Sequence, residues 1–88
     1  MQKYIRNNNT ISSRLDDELV TMDIEKGKYF SLNPVATQIW ELLEQPLGLN
    51  ELCNLLMEEY DVDAEQCRVE TKECLVKLTE IGLITEVD

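Results

Sequence analysis

The sequence predicts an α+β domain in which a three-stranded antiparallel sheet is followed by three helices. Three observations carry that expectation. The first third alternates between apolar and polar residues and is rich in β-branched side chains, Asn33-Pro34 is a strong helix start, and from Ala36 onward apolar residues recur at helical spacing until Gly82. A chain of 88 residues, 43% of them apolar, has material for one core and little for a second domain. Charged residues make up 30% and are mixed in order, as on a folded surface.

Thr10 to Arg14 reads as the first strand and Leu19 to Ile24 as the second. Glu25-Lys26-Gly27 closes a hairpin, with Gly27 supplying a positive φ, and Lys28 to Leu32 returns as the third strand. The period of two puts Phe30 and Leu32 on one face of that strand and Tyr29 and Ser31 on the other. Residues 1–9, ending in Asn7-Asn8-Asn9, read as a flexible N-terminal arm, and residues 10–88 as the domain.

Asn33 is a good N-cap, and Pro34 is tolerated at the first helical position, where its missing N–H is no loss. Ala36, Ile39, Trp40 and Leu43 then form one apolar stripe, and Gln45-Pro46 stops the helix. Trp40 on that stripe is expected in the core. Leu52, Leu55, Leu56 and Tyr60 mark a second helix that opens near Gly48 to Glu51 and ends around Tyr60-Asp61. Asp63, with Gln66 three residues on, starts a third helix that runs to Ile81 and stops at Gly82. Cys67, Thr71, Cys74, Leu78 and Ile81 are the expected buried stripe of that helix, with Leu75 beside it.

Composition excludes several functions. Eighteen Asp and Glu against eight Lys and Arg give a formal net charge of −10, which repels nucleic acid in the absence of a segregated basic face. There is no His, so the usual proton shuttle and the commonest metal ligand are both missing. Cys53, Cys67 and Cys74 form no CxxC pair and read as reduced, buried thiols. No metal, cofactor or catalytic residue is expected. Neither a secretory signal nor a membrane-spanning run is visible, so the chain is expected to be cytoplasmic, monomeric and free of membrane.

Lys28-Tyr29-Phe30-Ser31-Leu32-Asn33-Pro34, followed by Ile39-Trp40-Glu41-Leu42-Leu43, Glu51-Leu52, Tyr60 and the closing Leu78 to Ile84, resembles the PqqD-like family. These are the recognition elements of ribosomally made, post-translationally modified peptides. The resemblance spans roughly residues 10 to 84 and is most specific from Tyr29 to Leu43. Within the family the chain is similar to the free-standing leader-binding subunit of lasso-peptide systems, where recognition protein and cysteine protease are separate chains. The PqqD protein of quinone-cofactor biosynthesis, a peptide chaperone for a radical-SAM enzyme, is the close alternative. It usually carries a "PEG" before the third strand, where this chain has Asp23-Ile24-Glu25-Lys26-Gly27. One departure from both is Gly48, where relatives commonly have Ser or Thr to cap the second helix.

The resemblance implies a winged helix-turn-helix-like fold and binding without catalysis. A precursor's leader would add antiparallel to the third strand, along Lys28, Tyr29, Phe30, Ser31 and Leu32, and lie against the third helix. An open sheet edge supplies backbone pairing, and flanking pockets supply selection. On the third helix Arg68, Lys72, Leu75, Val76 and Thr79 are the expected wall. Phe30 and Leu75 would floor a groove for the Tyr, Pro and aliphatic residues that lasso leaders commonly present, and Arg68 and Lys72 would meet leader carboxylates. Phe30 and Leu32 read equally as core, and Arg68 and Lys72 equally as surface partners of nearby Glu residues. The partners implied are the leader, a separate cysteine-type leader peptidase and a macrocyclase.

Three other classes remain in view. A winged-helix DNA reader would set Glu65, Glu70, Glu73 and Glu80 against phosphate. An enzyme would need a nucleophile or base in a motif, and none is found. A self-associating module would use the same open edge on a second copy.

Overall fold

The computed structural model describes residues 2–16 and 18–87. The expected sheet is present as β2 (Thr10–Leu15), β3 (Glu18–Asp23) and β4 (Lys28–Leu32), antiparallel in the order β2-β3-β4. Thr21 pairs with Ser12 on one side and Phe30 on the other, and burial alternates along β3 while β2 is exposed along nearly all its length. Leu19, Thr21, Asp23 and Leu32 point into the core, while Ile11 and Tyr29 stand in solvent. Gly27 closes the hairpin at φ 65°, and its N–H donates to the Asp23 carbonyl at 2.7 Å.

Three helices follow, α1 (Pro34–Leu42), α2 (Leu49–Glu59) and α3 (Ala64–Glu80). Their starts are made by the expected residues. Asn33 Oδ1 accepts from the Ala36 N–H at 2.8 Å and Asp63 Oδ1 from the Gln66 N–H at 2.8 Å. Helix α2 lacks a side-chain cap at Gly48, and instead the Gly48 N–H donates to Glu51 Oε1 at 3.0 Å. A Cβ at Gly48 would sit 3.2 Å from the Gln2 carbonyl, so the glycine makes room for the N-terminal segment. Gly82, at φ 82°, ends α3 as expected.

Two strands lie outside the expected plan. Lys3–Arg6 (β1) pairs antiparallel with Ile84–Val87 (β5) as a separate two-stranded sheet. The reading of residues 1–9 as a flexible arm is therefore corrected for this segment. Tyr4 exchanges both backbone bonds with Leu47, the Arg6 N–H donates to the Leu43 carbonyl, and the Asn7 N–H donates to the Leu83 carbonyl. The Arg6 guanidinium also lies 4.7 Å from the centre of the Trp40 ring. Four residues with polar ends carry too little periodicity to announce a strand, and their partner is at the far end of the chain.

The core is made by Ile39, Trp40 and Leu43 of α1 and the α1–α2 turn, Leu52 and Leu56 of α2, Leu75 and Leu78 of α3, and Leu83 after it. Trp40 is buried as expected. In α3 the buried residues are Cys67, Thr71, Leu75 and Leu78, so the stripe is turned relative to expectation and Cys74 and Ile81 are only half-buried. Burying Leu75 instead of Cys74 removes more apolar surface from water, which favours this rotation.

Candidate functional site

Among the described residues no strand pairs with the outer edge of β4. Its backbone N–H and C=O groups on that side are open to an extended chain. Beyond the edge runs α3, and between the two lies a groove of about 290 Å³. Ser31 and Leu32 line it from β4, Asn33 and Ala36 from the start of α1, and Glu70, Glu73, Cys74, Lys77, Leu78 and Ile81 from α3.

The direction of the groove follows from contacts at its two ends. Gly82, just after α3, lies close to Lys26 Nζ and Asp23 Oδ2 of the hairpin turn. Val35, just after β4, shares a small cavity with Cys67, Glu70 and Thr71 in the first half of α3. Strand β4 and helix α3 therefore run in opposite directions across the groove.

The floor is apolar and the rim charged. Leu32 and Leu78 are buried, Ala36, Cys74 and Ile81 are half-buried, and Glu70, Glu73 and Lys77 are exposed. Phe30 is half-buried and packs against the same core. Burial pushes the Cys74 thiol above its ordinary pKa, opposed by the nearby Lys77 ammonium. Cys53 is also raised, by burial first and then by its neighbour Cys67. The Cys67 thiol lies 3.9 Å from the Cys53 carbonyl and 3.8 Å from the Thr71 hydroxyl. The first contact ties α3 to α2, and the second lies within α3.

The structure places the five expected strand residues along β4. Ser31 and Leu32 line the groove, Phe30 lies inward, Lys28 is exposed at the hairpin end, and Tyr29, at 71% exposure, stands on the outer face of the sheet. The Ser31 hydroxyl donates to Glu18 Oε2 at 3.0 Å.

The five expected helix residues are a different matter. Leu75, at 1% exposure, is core and not groove wall, because the rotation of α3 turns it inward. Arg68 donates to Asn50 Oδ1 on α2, and the Thr79 hydroxyl donates to the Leu75 carbonyl at 2.7 Å. Lys72 and Val76 lie with Val69 and Glu80 on the outer side of α3. Arg68, Lys72, Leu75, Val76 and Thr79 are thus all absent from the lining of the groove. The helix residues that do face β4 are Glu70, Glu73, Cys74, Lys77 and Ile81. The signal that could have found them is Leu75 with Leu78, Thr71 and Cys67: that set is a better core stripe by size than one built on Cys74, and it frees the adjoining flank.

No metal-holding cluster of His, Cys, Asp or Glu occurs among the described residues. Among them, too, no helix is long and apolar enough to cross a membrane.

The family of coenzyme PQQ synthesis protein D, PqqD, matches residues 18–84. Two solved structures superpose on nearly the whole chain. One is TbiB1 in complex with the TbiA(beta) leader peptide, at a TM-score of 0.81 and 29% identity, covering 91% of this chain and 93% of that one. The other is a lasso peptide synthetase B1 complexed with the leader peptide, at a TM-score of 0.80 and 21% identity, covering 93% and 96%. The second likeness is one of fold. No curated protein matches the sequence significantly.

Proposed function

The chain belongs to the PqqD family, and on that premise we propose that it is a leader-binding recognition element of lasso-peptide biosynthesis. The leader of a ribosomally synthesised precursor adds antiparallel to β4 and lies in the groove against α3. The observation that carries this reading is the open β4 edge facing a groove with an apolar floor. A strand edge alone binds any extended chain, while an edge beside a shaped wall binds a chain with side chains that fit it. The 29% identity to a leader-bound protein of the same fold over 91% of this chain supports the same reading.

The chain then acts without making or breaking bonds. It holds the leader and so raises the effective concentration of the attached core peptide near a separate cysteine-type leader peptidase and a macrocyclase. A role as peptide chaperone for a radical-SAM enzyme in quinone-cofactor or other modified-peptide synthesis is the alternative, because the family's own description names coenzyme PQQ.

Fluorescence anisotropy of a labelled lasso-type leader with its Tyr, Pro and aliphatic positions, beside a scrambled peptide, tests the reading. Saturable binding of the first alone is expected. Equal binding of both, or of neither, overturns it, and preference for a quinone-cofactor precursor moves the assignment to the alternative.

A further inference from the structure

The groove has different charges at its two ends. At the Asn33 end Glu70 and Glu73 stand on the rim. At the hairpin end the rim carries Lys77, one turn further along α3, and off the lining Lys28 is exposed at the start of the edge strand that the peptide would pair with. Of the other acidic groups there, Asp23 is buried and accepts from the Lys26 N–H at 3.2 Å, while Glu25 and Glu80 are not on the lining.

Direction turns this asymmetry into a selection rule. Strand β4 runs from the Lys28 end to the Asn33 end, so a peptide added antiparallel begins beside Glu70 and Glu73 and finishes beside Lys77 and Lys28. We propose that the groove reads charge order: the peptide it takes carries basic side chains before its apolar anchors and acidic side chains after them. This rests on the leader-binding reading and adds what that reading leaves open, the chemical class of leader that this chain prefers. The −10 net charge of the chain makes the basic end the stronger requirement, since it is favoured by the local rim and by the whole surface. A peptide with the reverse order would set like charges against each other at both ends.

The test uses three synthetic leaders with the same Tyr, Pro and aliphatic anchors: basic-then-acidic, acidic-then-basic, and uncharged flanks. At low salt the first should bind about tenfold more tightly than the second, as expected when several exposed charge pairs pass from attraction to repulsion. The difference should collapse at about 1 M salt, where the screening length is about 3 Å. In the double variant Glu70→Lys, Glu73→Lys the preference should shrink or invert, and since both positions are exposed, circular dichroism should show an unchanged fold. Equal affinity for the two charged peptides, or a preference that the double variant leaves intact, overturns the charge-order rule while leaving leader binding in place. Failure of all three peptides to bind overturns the leader-binding reading, and the rule with it.

Discussion

Both sides of α3 carry apolar residues, yet they differ in what adjoins them. On the outer side Val69 and Val76 are about half exposed beside Lys72 and Glu80, and the helix's own backbone is already paired. On the β4 side Cys74 and Ile81 are half-buried, and the neighbouring strand edge still has backbone groups to offer. Isolated exposed valines are ordinary on a soluble domain. Apolar surface combined with an open strand edge is not, because it presents hydrogen bonding and shape together. The comparison teaches that a helix side suited to an extended peptide is marked by its neighbour more than by its own composition.

Leu75 gives the largest effect. It sits between the two sides and is fully buried, so Leu75→Ala should cost about 2–5 kcal/mol in urea denaturation. Leu75→Glu should prevent folding at 25 °C, seen as loss of helical circular dichroism. A folded Leu75→Glu protein would mean that the residue is groove wall after all.

Filling the groove comes next. Cys74→Trp places a large side chain between α3 and β4, and leader affinity should fall at least tenfold with the fold kept, as measured by anisotropy and circular dichroism. Val76→Asp and Arg68→Ala, on the other sides of the helix, should change affinity by less than about twofold. Equal losses from the two sets would remove the distinction between the sides.

Cys74 also reports occupancy without substitution. Its thiol is half-buried in the groove, whereas Cys53 and Cys67 are fully buried, so maleimide should modify Cys74 first and bound leader should slow that reaction several-fold. Mass spectrometry of the modified peptide checks both statements.

The smallest effect is on pH dependence. Burial raises the folded-state pKa of Cys53 and Cys74 above the ordinary 9.0, so the unfolded thiols ionise first as pH rises. Their contribution is complete below pH 9.0 and is lost above it, as pH climbs toward the raised values. Denaturation midpoints should fall over that alkaline window, and less steeply in Cys53→Ser, Cys74→Ser.

The helix starts, the hairpin and the α3 stop were legible because each is decided within a few residues. Asn33 and Asp63 accept from N–H groups three positions on, and Gly27 and Gly82 hold positive φ values that other residues resist. The alternation of β3 and the burial of Trp40 follow from periodicity in the same way. The family too was legible, in the string from Tyr29 to Leu43.

What the tertiary structure decided lies at longer range. β1 meets β5 across almost the full length of the chain, and no local pattern in Lys3–Arg6 names that partner. The azimuth of α3 is the second case. Cys74 and Leu75 are about 100° apart around the helix, and either could lead a credible stripe. The volume between α1, α2 and the sheet takes the larger Leu75, and that one rotation turns Cys74, Lys77 and Ile81 toward β4 and leaves Lys72 and Val76 outside. Local sequence announced β2, β3, β4 and the three helices, and left β1 and β5 unannounced. Which side of the last helix faces β4 is set by packing, a property of the whole core and of no segment within it.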